Sequence, residues 1–229
     1  MHSACKRVAW LLAIGGSLLP GVVRAQGVFN MGSLTNTLAI PTGKSVGKRP
    51  AKAQAVLRYK PAAALEAQTV RAYVARTKPT APAAAQAVAS TFGPGKASYA
   101  QVYQSILAGS GFQDHDVASA LGLYLELGYR VVRNIQDDKV VTPSQERGLR
   151  AQVAQLLNQT GRPTTAAAAA RLGEELKLQT VVLTLGWKQA VQRGELTAFR
   201  NATASQFSIS YHFDFQHVQL TDAGFVASN

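Results

Sequence analysis

The chain has 229 residues, a formal net charge of +12, 47% hydrophobic residues and a single cysteine. That composition excludes a disulfide framework and a cysteine-built zinc or iron–sulfur centre, so stability must come from an apolar core. The charge is uneven. Residues 1–25 carry three basic residues and no acid, 26–54 carry four and none, 55–96 carry six against Glu66, and 97–229 carry eleven of each sign. A nucleic-acid reader would gather its basic residues on a folded face, so no nucleic-acid partner is expected. Loose attraction to anionic envelope polymers fits the distribution better.

Lys6 and Arg7 precede an apolar run of sixteen residues, Val8 to Val23, and Val23 and Ala25 suit a signal peptidase. This predicts an exported protein, periplasmic or secreted, with a signal peptide at 1–25 cleaved after Ala25. Gly15, Gly16 and Pro20 interrupt the run, which is short of the ~20 residues of a spanning helix, and no later run could span a membrane. Cys5 leaves with the leader. Residues 26–54, rich in Gly, Ser, Thr and Lys without periodicity, read as a disordered basic tail. Within it, Gly43-Lys44-Ser45 is no phosphate loop, because Leu38 stands where the motif needs glycine.

Residues 55–229 read as one helical domain. Ala55 to Lys60 looks like a short strand. Helices are expected from Pro61 to about Thr77, from Pro82 to the Gly93–Gly95 stop, and from a capping box at Ser98 to Gly109. Asp114 is the expected cap of the next helix, whose Val117, Leu121, Tyr124, Leu125, Gly128 and Val132 share one face. Thr142 opens another capping box, and Gly161 ends that helix. The longest helix runs from Thr165 to about Arg193, apolar on two sides in its middle and therefore packed by neighbours on both. A last helix opens at Glu195. Leu121, Leu183 and Trp187 are predicted core.

Residues 207–217 fit two patterns. Phe207, Ile209, Tyr211, Phe213 and Phe215 alternate with polar residues like a strand, whereas Phe199, Thr203, Phe207, Ser210 and Tyr211 continue a helical stripe, the weaker pattern because Thr203 and Ser210 are polar.

Chemistry is sparse. Glu126 falls opposite the apolar stripe beside Arg130, which predicts a solvated i,i+4 pair. Glu174 and Glu175 are adjacent and diverge. There is no nucleophile elbow and no His-Glu-x-x-His. The remaining metal candidates are His115 and Asp116, with a ring expected in solvent, and His212, Asp214 and His217; a site would require the two groups to meet. No cofactor and no catalytic residue is assigned.

The segments "LRYKP", "VRAYVART", "DHDVASALGLYLELGYR" and "FDFQHVQLTDAGFV", in this order over residues 55–229, together resemble an uncharacterised family of exported bacterial helical domains, "QLTDAGFV" being the most specific. The resemblance implies a helix ending near Tyr211, a turn from Phe213 to His217, and an extended Val218 to Phe225. Relatives favour a proline near Phe215, where this chain has none. The resemblance brings no activity and no site residues.

The expected fold is mainly α, about six or seven helices around a central helix near 165–193, with a small β-pair joining about 55–60 to 217–221. The expected function is a non-enzymatic envelope module that binds a protein or polymer partner. The alternative is an exported hydrolase using a His/carboxylate metal site or a catalytic carboxylate.

Overall fold

The computed structural model describes residues 54–228. The expected leader, the Gly43-Lys44-Ser45 segment and all but the last residue of the basic tail lie outside the described residues. Seven α-helices are described: α1 (Ala63–Thr77), α2 (Pro82–Phe92), α3 (Tyr99–Leu107), α4 (Val117–Arg133), α5 (Pro143–Thr160), α6 (Ala166–Arg193) and α7 (Leu196–Tyr211). A 3-10 turn, Phe215–His217, leads into strands β1 (Val218–Thr221) and β2 (Gly224–Ala227). The helix starts follow their caps. Ser98 accepts the Gln101 N–H, Thr165 accepts the Ala168 N–H, and Thr142 and Gln145 complete a reciprocal capping box. Gly161 and Gly194, both left-handed, end α5 and α6.

Helix α4 is the most enclosed element: of its 17 residues, 15 are buried. It packs on α5, α6 and α7. Helix α6 packs on α1, α3, α4 and α7, as its two apolar sides require. At the C-terminal half of α4, the rings of Tyr124, Tyr129, Phe207, Tyr211, Phe213, Phe215 and Phe225 form a continuous cluster. It fastens α7 and the hairpin to α4.

The β-pair exists, but not between the expected segments. β1 pairs antiparallel with β2, Val218 opposite Ala227 and Thr221 opposite Gly224. Residues 55–60 instead lie extended along 115–117, with one bridge between Arg58 and Asp116 and backbone bonds Tyr59 N–H to His115 O and Val117 N–H to Leu57 O. The physical reason is locality: a hairpin with a two-residue turn closes a far shorter loop than a pairing across the whole domain.

The hairpin docks on α5 through the Gln152 amide, which donates to Phe225 O at 2.8 Å and accepts from Phe225 N at 2.9 Å. Gly148 permits this approach, because a Cβ there would stand 2.0 Å from the carbonyl oxygen of Asp222. Gly148→Ala is therefore expected to lift the hairpin and cost about 1–3 kcal/mol, the overpacking penalty, despite alanine's better helix propensity. Denaturant titration reads the cost, and hydrogen exchange should show protection lost first at residues 218–227.

The contested stretch splits. Helix α7 runs to Tyr211, and His212 takes the left-handed C-cap position. Phe213 and Phe215 then turn inward beyond the α-helix, Phe215 at the start of the 3-10 turn. Ile209, an inward member of the strand pattern, is 73% exposed, because on a helix it lies about 200° from Phe207. Thr203 is tolerated in the buried stripe because its hydroxyl donates to the carbonyl of Phe199 at 2.8 Å.

Candidate functional site

Two polar constellations stand out, and each joins residues that are far apart in the sequence. The first surrounds Lys177 in α6. Its ammonium is buried and lies 2.6 Å from Asp114 Oδ1 and 2.9 Å from Glu174 Oε1. Glu174 also accepts the hydroxyls of Tyr59 (3.1 Å) and Tyr99 (2.7 Å). The ammonium sits against the faces of Tyr59 and Tyr103, 5.5 and 5.4 Å from the ring centres. Tyr59 reaches this place by lying directly on the α6 backbone at Gly173. Burial, reinforced by Glu174, pushes the Tyr59 and Tyr99 phenols far above their ordinary pKa, so both remain donors.

Asp114 is thus an ion-pair partner, not the cap of α4. The cap is Asp116, whose carboxylate accepts the Ser119 N–H at 2.7 Å and two guanidinium hydrogen bonds from Arg150, at 3.1 and 2.7 Å. His115, expected in solvent, is half-buried and left-handed (φ 57°), its ring stacked on Tyr59 and its Nδ1 2.9 Å from Asp114 Oδ1. Burial and the Lys177 charge lower its pKa, against the opposing pull of Asp114 and Glu174. A histidine whose pKa is depressed on folding binds fewer protons than in the unfolded chain. Its contribution to stability is therefore present above the unfolded value of about 6.5 and is lost as pH falls below that and through the lower folded value. Stability measured by denaturant should drop between pH 7 and 5. His115→Asn, which keeps a residue tolerant of left-handed backbone, should flatten that slope.

His212, Asp214 and His217 lie elsewhere. Asp214 accepts the Gln216 N–H at 2.8 Å and meets His217 Nδ1 at 2.8 Å, on the surface. These two bonds hold its carboxyl below the usual range. Arg133 at the far end of α4 donates to Gln216 O at 3.2 Å, whereas His115 and Asp116 precede the first residue of α4. A helix of 17 residues is about 24 Å long, so the turn beside Arg133 and the His115–Asp116 pair sit at opposite ends of it. Among the described residues, no group of three or more His, Cys, Asp or Glu side chains is placed to hold a metal ion. No described helix is long and apolar enough to cross a membrane.

The second constellation borders a cavity of about 360 Å³ between α3, α4 and α6. Ile106, Leu123, Leu127, Trp187 and Val191 supply its apolar walls, and Glu126, Arg130, Asp138, Glu146 and Lys188 its charges. Trp187, expected in the core, is half-buried here. The geometry begins at the end of α4, where Asn134 is left-handed and the Ile135 N–H returns to Arg130 O. That turn folds 134–138 back over Arg130, whose guanidinium donates to Ile135 O and Asp138. It also stands 3.8 Å from Glu126 Oε1 and lies over the Trp187 ring, 5.9 Å from its centre.

Glu126 is the clear correction. It pairs with Arg130 as expected, but it is 2% exposed. The deciding signal was in the sequence: from Val117 to Tyr129 the only other non-aromatic polar residue is Ser119, and a helix apolar all round is buried whatever its stripe. Glu146 is buried too and accepts the N–H of Gly111.

Compared with protein-family models, curated proteins and solved structures, the chain matches none. Its chemistry is therefore read from the site alone. Glu174 and Glu175 diverge as their adjacency requires, Glu175 pairing with Arg76 at 2.7 Å. The Lys177 network is closed, each charge facing an opposite one, and that is the form of a structural ion pair. The cavity is the place where apolar wall and convergent charge leave room for another molecule.

Proposed function

We propose that this protein is an exported, non-enzymatic binding module of the cell envelope, and that the cavity between α3, α4 and α6 is its ligand seat. The observation that carries this reading is the cavity itself. Its volume of about 360 Å³ falls in the ~300–1,000 Å³ range of small-molecule pockets. Most of its surface is apolar, charged groups gather around Arg130, and it is bounded by exposed Val191 and Gln192. The leader-like start, with Lys6, Arg7 and the apolar run before Ala25, supports export.

Octanol, an uncharged apolar probe, is expected to bind one molecule per chain by calorimetry. Val191→Trp, a change at an exposed wall position, should weaken that binding at least tenfold without altering stability. No octanol binding, or binding indifferent to Val191→Trp, would remove the cavity from the reading.

A second reading, an exported hydrolase working through carboxylates, draws on Glu126 and Glu146, two buried acids on one cavity. Both already serve other partners, Glu126 beside Arg130 and Glu146 on Gly111. The hydrolase reading would gain if the protein cleaved a glycan or peptide and Glu126→Gln abolished the turnover.

A further inference from the structure

We infer that the cavity selects an anionic amphiphile, an apolar body ending in one carboxylate-like or phosphate-like head, and that Lys188 receives the head. This rests on the cavity being a ligand seat. Counted by sign, the lining is weakly acidic, with Glu126, Asp138 and Glu146 against Arg130 and Lys188, and by net charge a cationic ligand would be favoured. The pairing reverses that expectation. Arg130 engages both Glu126 and Asp138, and Glu146 accepts a backbone N–H. Lys188 alone among these charges makes no ion pair or hydrogen bond with the described residues.

Its ammonium is half-buried, and burial lowers its pKa against the through-space pull of Asp138. A half-buried cation that no carboxylate contacts directly gains more from an incoming anion than a solvated one would. The cavity thus offers an anionic head one cation, Lys188, that is held in no ion pair among the described residues. The apolar side chains of Leu123, Leu127 and Val191 face the remainder of the ligand.

The test compares four eight-carbon probes on the full chain at neutral pH by calorimetry: octanol, octanoate, octyl phosphate and octyltrimethylammonium. Octanoate or octyl phosphate should bind about tenfold more tightly than octanol, on the scale of one charge-assisted hydrogen bond. The stronger of the two identifies the head. Lys188→Gln should weaken the anionic probes about tenfold and octanol much less, so that the preference is lost. If octanol binds as well as either anion, or the cationic probe binds best, anion selection is overturned and the ligand seat stands. If none of the four binds, both fall together. If Lys188→Gln weakens octanol as much as octanoate, the lysine shapes the cavity and does not read charge, which also overturns the inference.

Discussion

Lys177→Met is expected to destabilise the fold by about 3–5 kcal/mol, the range for removing one member of a buried ion pair. Methionine matches the lysine stem in length, so little packing is lost and the change isolates the charge. Lys177 is 1% exposed, and its ammonium lies within 3 Å of two carboxylates, at 2.6 Å from Asp114 and 2.9 Å from Glu174. Without it, Glu174 keeps the two tyrosine hydroxyls but no longer faces a cation. Asp114 is more open to water and can recover part of its solvation, which sets the cost toward the lower end of the range. Equilibrium urea unfolding measures the loss. Adding Glu174→Gln to Lys177→Met should restore a part of it, because the uncompensated acid is then gone, and the double-mutant cycle gives the coupling. A loss below about 1 kcal/mol for Lys177→Met would mean that water replaces the ammonium and that the network does not hold α6 to the segment before α4.

Phe207→Ala should cost a similar amount, about 3–5 kcal/mol, for a different reason. Its ring is fully buried, with ring centres of Tyr124, Tyr211 and Phe215 at 5.0, 5.3 and 4.8 Å. The truncation opens a cavity where α7, α4 and the terminal turn meet, so none of the three can close it alone. Two positions away, Ile209→Ala should change stability by less than about 0.5 kcal/mol, since that side chain is 73% exposed. Thermal unfolding of the two variants side by side tests the helical register directly. Equal losses would mean that both side chains face inward, as a strand would have it.

Both expectations draw on features of which the sequence held only half. Local signals were legible because they act over three or four residues: the Thr142 capping box, the Thr165 cap, the ends at Gly161 and Gly194, and the two apolar sides of α6 are where the sequence places them. The resemblance to exported helical domains implied a helix end at Tyr211 and a following turn, and α7 ends there. Alternation from Phe207 to Phe215 was a true sign of burial for Phe213 and Phe215 but a false one for Ile209, since one period cannot describe a segment that changes conformation at His212.

The sequence by itself determined the helical class, most helix boundaries and the divergence of Glu174 from Glu175, because chain stereochemistry and periodicity decide them within a few turns. Only the tertiary structure decided which strand β1 pairs with, that Asp116 and not Asp114 caps α4, and that Trp187 and Lys188 border a cavity. Each of these depends on residues tens of positions apart. Arg150 reaches Asp116 across 34 residues, and the Tyr59 hydroxyl reaches Glu174 across 115. A helical wheel places a side chain relative to its own axis, and burial is set by what the other helices bring to that side.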